Sequence, residues 1–157
     1  MPPKISAQRI ANDLLSRTGA AMESGDLEAF CGCFFRPLIV ETFEGKRLLQ
    51  TRDDIETVFA AVRNFRAAHA IVDVVRENVA AEYVDCETIA ATHVSRMLQK
   101  GDVLFDKPYP AYSVIKKANG VWRINYCQYA IDEATPLNRA LHSPEKTPRK
   151  PAAPVEK

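Results

Sequence analysis

Histidine changes charge near neutral pH, and of the three in this sequence only His93 sits midway along an alternating stretch. Ile89, Ala91, Ser95 and Met97 lie at two-residue spacing around it and read as one face of a strand, so His93 is expected to point into an interior. An imidazole there is a candidate general acid or base, with Glu41, Tyr112 and Asp106 as candidate partners. The alternatives are a neutral buried histidine bonded to its surroundings, or one on the outer sheet face at a dimer contact. Tyr126 and Gln128 form the second group, since a phenol donates to a ligand carbonyl and an amide both donates and accepts. The plainer reading of Tyr126 is a core residue with its hydroxyl bonded to backbone. If His93, a carboxylate and Tyr126 converged, the chemistry would be proton abstraction beside a carbonyl, or elimination of water.

Other chemistries find less support. His69 closes a helical stretch, where a cation suits the negative helix end, and His142 falls in a proline-rich segment and is expected to be solvated. His69, His93 and Glu41 have no spacing that signals a metal site, so no metal is expected. Cys31, Cys33, Cys86 and Cys127 include no Cys-x-x-Cys pair and are read as buried free thiols, Cys127 on the outer face of the last strand. Gly101 and Gly120 are turn glycines rather than part of a phosphate loop, and no cofactor is expected. A formal net charge of +1 on 157 residues gives no electrostatic reason to expect nucleic acid or an anionic membrane. No apolar run approaches the ~20 residues that span a bilayer, and nothing resembles a signal peptide, so a cytoplasmic location is expected.

These side chains must be held by a sheet and its covering helices. Asn119-Gly120 is the preferred pair for a tight hairpin, and the strand after it alternates. Trp122, Ile124, Tyr126 and Gln128 are expected to form its pocket face, apolar first and then polar; Val121, Arg123, Asn125, Cys127 and Tyr129 face outward. Ser6 opens a first helix carrying Ile10, Leu14 and Leu15. Gly25-Asp26 breaks it, and a second helix holds Leu27, Phe30, Cys31 and Phe34 until Pro37. A strand from Leu38 to Phe43 and a brief one around Leu48 follow. Thr51-Arg52-Asp53-Asp54 resembles a capping box opening a long helix, whose stripe of Ile55, Val58, Phe59, Val62 and Phe65 puts Phe59 toward the pocket. Four strands then run as a meander. Residues 1–134 form one domain on this reading, and 135–157, basic and proline-rich, a disordered tail.

The order of helices and strands describes an α+β domain in which N-terminal helices pack into a strongly curved, mostly antiparallel sheet and leave a conical cavity. Gly25-Asp26-Leu27, Val40-Glu41-Thr42-Phe43-Glu44-Gly45, Thr51-Arg52-Asp53-Asp54-Ile55 and Gly120-Val121-Trp122-Arg123-Ile124 resemble the NTF2-like (cystatin-like) superfamily, in particular its SnoaL-like and ketosteroid-isomerase-like branch, over residues 7–132. The resemblance implies a homodimer, joined through the sheet face that the helices leave bare. It also implies that Thr42 stands where ketosteroid isomerases place an aspartate base, and that their first-helix tyrosine has no counterpart between Ile10 and Met22. The expected function is therefore binding of a small apolar or amphipathic molecule without catalysis. The alternatives are a cofactor-independent isomerase or dehydratase-type lyase, using His93 and Tyr126 on a polyketide- or steroid-like molecule, and a dimerisation module with an empty pocket.

Overall fold

The computed structural model describes residues 4–142. Three helices lead: α1 (Ala7–Ser24), α2 (Leu27–Cys31) and, after two strands, α3 (Arg52–Ala68). Their starts are fixed locally. The Ser6 hydroxyl accepts from the Arg9 N–H, Asp26 from Ala29, and Thr51 with Asp54 forms a complete capping box, each cap worth about 1 kcal/mol. Gly25 ends α1 in the left-handed region at φ 78°.

The strands are β1 (Phe34–Thr42), β2 (Gly45–Leu49), β3 (Ile71–Asp85), β4 (Thr88–Gln99), β5 (Val103–Leu104), β6 (Tyr109–Ala118) and β7 (Val121–Tyr129). They make one sheet in the order β2-β1-β7-β6-β4-β3, with β5 paired to β4. Every pairing is antiparallel except β1 with β7. Asn119 and Gly120 turn β6 into β7 with φ of 52° and 76°, the positive pair a two-residue hairpin requires. Ile89, Ala91, His93, Ser95 and Met97 are all buried, so the inward face of β4 is as expected. The core lies between this concave face and α1 and α3, with Leu14, Ile55, Ile89 and Ile115 almost wholly enclosed.

Three local expectations need correction. The second helix stops at Cys31 rather than running past Phe34: Gly32 and Cys33 turn, the Ile124 N–H donates to the Cys33 carbonyl, and Phe34 already belongs to a strand. The domain does not end at 134, because Pro136–Leu141 forms a further helix, α4, with Leu137, Ala140 and Leu141 buried. Pro136 suits the first helical position, and the apolar i, i+3, i+4 set packs α4 against α3. His142 is not a free tail residue either. Its Nε2 lies 2.9 Å from Thr42 Oγ1, and Arg47 donates to the Leu141 carbonyl at 2.9 Å, so the end of α4 is tied to the first two strands. The rest of the expected tail, 143–157, lies outside the described residues.

Candidate ligand-binding site

The space between the helices and the concave sheet is a cavity of ≈ 200 Å³. Phe30 of α2, Phe34 at the start of β1, and Val58, Val62 and Phe65 of α3 make its apolar side, and Leu137 and Leu141 of α4 close over it. Glu23, Asp73 and Arg66 also line it; the first two are exposed and mark the mouth.

The sheet side is polar, and strand pairing explains how. Arg76 on β3 stands opposite Ser95 on β4, which stands opposite Tyr109 on β6. In the next row, His93 is opposite Ala111, and Ala111 is opposite Tyr129. The rings of Tyr109 and Tyr129 lie 6.3 Å apart, edge to face. Arg76, His93, Ser95, Tyr109 and Tyr129 thus share one wall.

Arg76 is the unusual member. Its Nη2 donates to the Leu15 carbonyl at 2.5 Å and to Thr18 Oγ1 at 2.9 Å, both on α1. Among the described residues no carboxylate forms an ion pair with it. Burial pulls its pKa down, as it must for a guanidinium taken from water without a counter-charge. Gly19 makes the approach feasible, since a β-carbon there would lie 3.0 Å from Arg76 Nη2. A glycine inside a helix costs about 1 kcal/mol relative to alanine, and the seat for Arg76 is the physical reason for one here.

His93 is buried, and burial, with the Arg76 charge second, pulls its pKa down to about 4, so the ring is neutral at physiological pH. Burial pushes the Tyr109 and Tyr129 hydroxyls up, which keeps both as donors, and pushes the Cys127 thiol up to about 11. The buried Ser95 hydroxyl lies beside the Tyr109 hydroxyl, where it opposes the rise in the Tyr109 pKa, and forms no hydrogen bond of good geometry among the described residues.

The expected pocket residues divide. His93 and Ile124 line the cavity; Tyr126, Gln128, Trp122 and Phe59 do not. The cause in β7 is a bulge. Ile115 pairs with Ile124, but the adjacent Val114 pairs with Tyr126, so Asn125 is an extra residue and the alternation slips by one. Beyond Ile124 the inward residues are therefore Cys127 and Tyr129, both assigned outward by simple alternation, while Tyr126 and Gln128 lie on the convex face. There the Tyr126 hydroxyl donates to Glu41 Oε1, a bond that, with some burial, pushes its pKa up to about 12. Tyr112, an expected partner of His93, stacks edge to face on Tyr126 with centroids 6.2 Å apart. Trp122 packs edge-on against Tyr83, and Phe59 sits behind Phe30, with ring centroids 4.8 Å apart. His69 caps α3, its ring between Phe65 and Phe105. No three His, Cys, Asp or Glu side chains among the described residues could together hold a metal.

No family model matches the chain, and no curated protein sequence does. Solved structures match well. A protein of unknown function with a cystatin-like fold from Nostoc punctiforme PCC 73102 superposes with a TM-score of 0.61 over 82% of this chain and 93% of its own, at 14% identity. An NTF2-like protein of unknown function from Shewanella oneidensis MR-1 gives 0.60 over 78% and 98%, at 13% identity. The fold is NTF2-like. A ketosteroid isomerase-like protein from Erwinia carotovora atroseptica SCRI1043 gives 0.55 over 78% and 94% at 11% identity, the same architecture at greater distance. In this NTF2-like cone Thr42 is buried and bonded to His142, and it is not among the cavity-lining residues. No helix among the described residues is long and apolar enough to cross a membrane.

Sequence reasoning missed Arg76, Tyr109, Cys127 and Tyr129 as cavity residues, and placed Ser95 on the inward face of β4 without giving it a role. The Gly19 signal was present, since an isolated glycine inside a helical pattern usually has a packing reason.

Proposed function

We propose that this protein binds one small amphipathic molecule inside the cone and performs no covalent chemistry on it. The observation that carries the reading is the division of the cavity: an apolar side faces a sheet wall of buried polar groups, among them the Ser95 hydroxyl, which lies beside Tyr109 and forms no hydrogen bond of good geometry among the described residues. A buried polar group left unpaired costs about 1–3 kcal/mol, and a ligand supplying the partner recovers it. The lyase reading loses support because its proposed pair is separated: His93 faces the cavity and Tyr126 the convex face. A neutral imidazole with a pKa of about 4 is also a weak base at pH 7.

Native mass spectrometry of the full chain purified from its own host tests the binding reading. The expected result is a reproducible small-molecule adduct, lost on denaturation. Absence of an adduct, together with no binding of any small aromatic probe, refutes it. We also infer a two-fold dimer through the convex sheet face. It is left bare by the helices and carries Tyr112, Tyr126 and Gln128, types common at interfaces. Light scattering on the eluting protein tests it, and a monomer at all concentrations refutes it.

A further inference from the structure

We infer that the cavity is an organic-anion site, in which Arg76 holds the carboxylate of a small monocarboxylic acid whose apolar body lies against the apolar side. This rests on the ligand-binding reading above and adds the chemical class of the ligand.

The argument begins with charge. A guanidinium stays protonated in proteins, so burial cannot neutralise it, and its cost is relieved only by acceptors or an opposite charge. The protein supplies two acceptors, the Leu15 carbonyl and Thr18 Oγ1, and both engage Nη2. Among the described residues Nε and Nη1 donate to no protein acceptor, and the side chain lines the cavity. Glu23 and Asp73 also line it, but neither pairs with Arg76, and both are exposed, so solvent screens them. The chain has therefore placed a half-buried cation against the cavity, and among the described residues no carboxylate pairs with it. Gly19 leaves room for this placement on α1, since a β-carbon there would press on the guanidinium at 3.0 Å. The neighbouring donors agree: the Ser95 hydroxyl forms no hydrogen bond of good geometry among the described residues, and the buried Tyr109 stands beside it in the same row.

Size limits the rest. An apolar cavity of about 150 Å³ holds benzene, so ≈ 200 Å³ suits roughly one ring plus a carboxylate, or a short aliphatic acid. Phe30, Phe34 and Phe65 offer aromatic faces to such a body. Among the described residues Arg66 of α3 also lines the cavity and is half-buried as Arg76 is, but only Arg76 is fixed by hydrogen bonds to the protein, and one fixed cation favours a monoanion over a dicarboxylate or a phosphate ester.

The test compares phenylacetate with phenylacetamide, nearly equal in shape, by calorimetry on the full chain near neutral pH. Toluene serves as an apolar control. The expected result is at least about tenfold tighter binding of the acid in the native protein, with the preference lost in Arg76→Met. Because that variant removes a buried anchor, folding is checked by near-ultraviolet circular dichroism. Independently, the Arg76 Nε–H resonance of the unmodified protein should shift with phenylacetate and not with the amide. Equal affinity for acid and amide, or a preference that survives Arg76→Met, overturns the anion assignment while leaving small-molecule binding intact. Failure of all three probes to bind overturns both.

Discussion

Acidification should weaken the fold through His93. An unfolded histidine titrates near pH 6.5, whereas His93 titrates at about 4 because burial and Arg76 oppose its charge. Between those values the unfolded chain binds the proton and the folded one does not, so stability rises with pH across the window and is flat above it. The gap between those two values corresponds to on the order of 3 kcal/mol in full, of which about 2.5 kcal/mol is lost between roughly pH 7.5 and pH 4.5. Urea midpoints measured across that range should fall by about 1 M or more in the native protein. His93→Gln keeps a polar side chain that cannot charge, and its midpoint should fall much less. Asp54 and Asp85 do not confuse the comparison. Backbone N–H groups hold both carboxyls below their usual range, so their stabilisation persists above the unfolded carboxylate pKa of about 4 and is lost only below it. Parallel profiles for native protein and His93→Gln would show that the imidazole is not buried against Arg76, and the account of the polar wall would fail with it.

Gly19→Ala should forgo the gain of about 1 kcal/mol that alanine normally brings to a helix interior, because its β-carbon meets Arg76; a full gain in thermal unfolding would show the guanidinium free to move aside. Leu141→Ala empties the part of α4 that closes the cavity and should cost about 2–4 kcal/mol in chemical unfolding, a loss below about 1 kcal/mol refuting the packing of α4. Tyr126→Phe removes the bond to Glu41 and should cost about 1 kcal/mol or less while leaving probe affinity unchanged; a large affinity loss would put Tyr126 back in the pocket. Deleting Asn125 should be tolerated, since Cys127 and Tyr129 then face inward by plain alternation; failure to fold would show that the bulge is required for more than register.

What the sequence made legible was local chemistry with a single solution. The Thr51–Asp54 capping box, the break at Gly25-Asp26, the Asn119-Gly120 hairpin and the inward face of β4 each follow from residue types acting over a few positions. The pocket was less legible because its composition depends on backbone counts between strands. Asn125 carries no glycine-like mark of a bulge, yet it decides the orientation of four following residues. Arg76 lies in a valine-rich strand that is irregular between Ile71 and Asp73, so alternation alone did not fix its side. The α4 helix was hidden by its company: Pro136 and the Leu137, Ala140, Leu141 set signal a helix, but the prolines and basic residues after them read as a tail.

The bulge in β7 has a consequence for how such a site changes over generations. One strand encodes two walls, a Cys127–Tyr129 wall and a Tyr126–Gln128 wall, and a single surplus backbone residue selects between them. Relocating that surplus beyond Tyr129 would exchange the interior and exterior sets without altering one side chain's identity. Ligand preference and surface character are therefore inherited together here, as opposite sides of the same coin-thin layer, and a slip that retunes one necessarily rewrites the other.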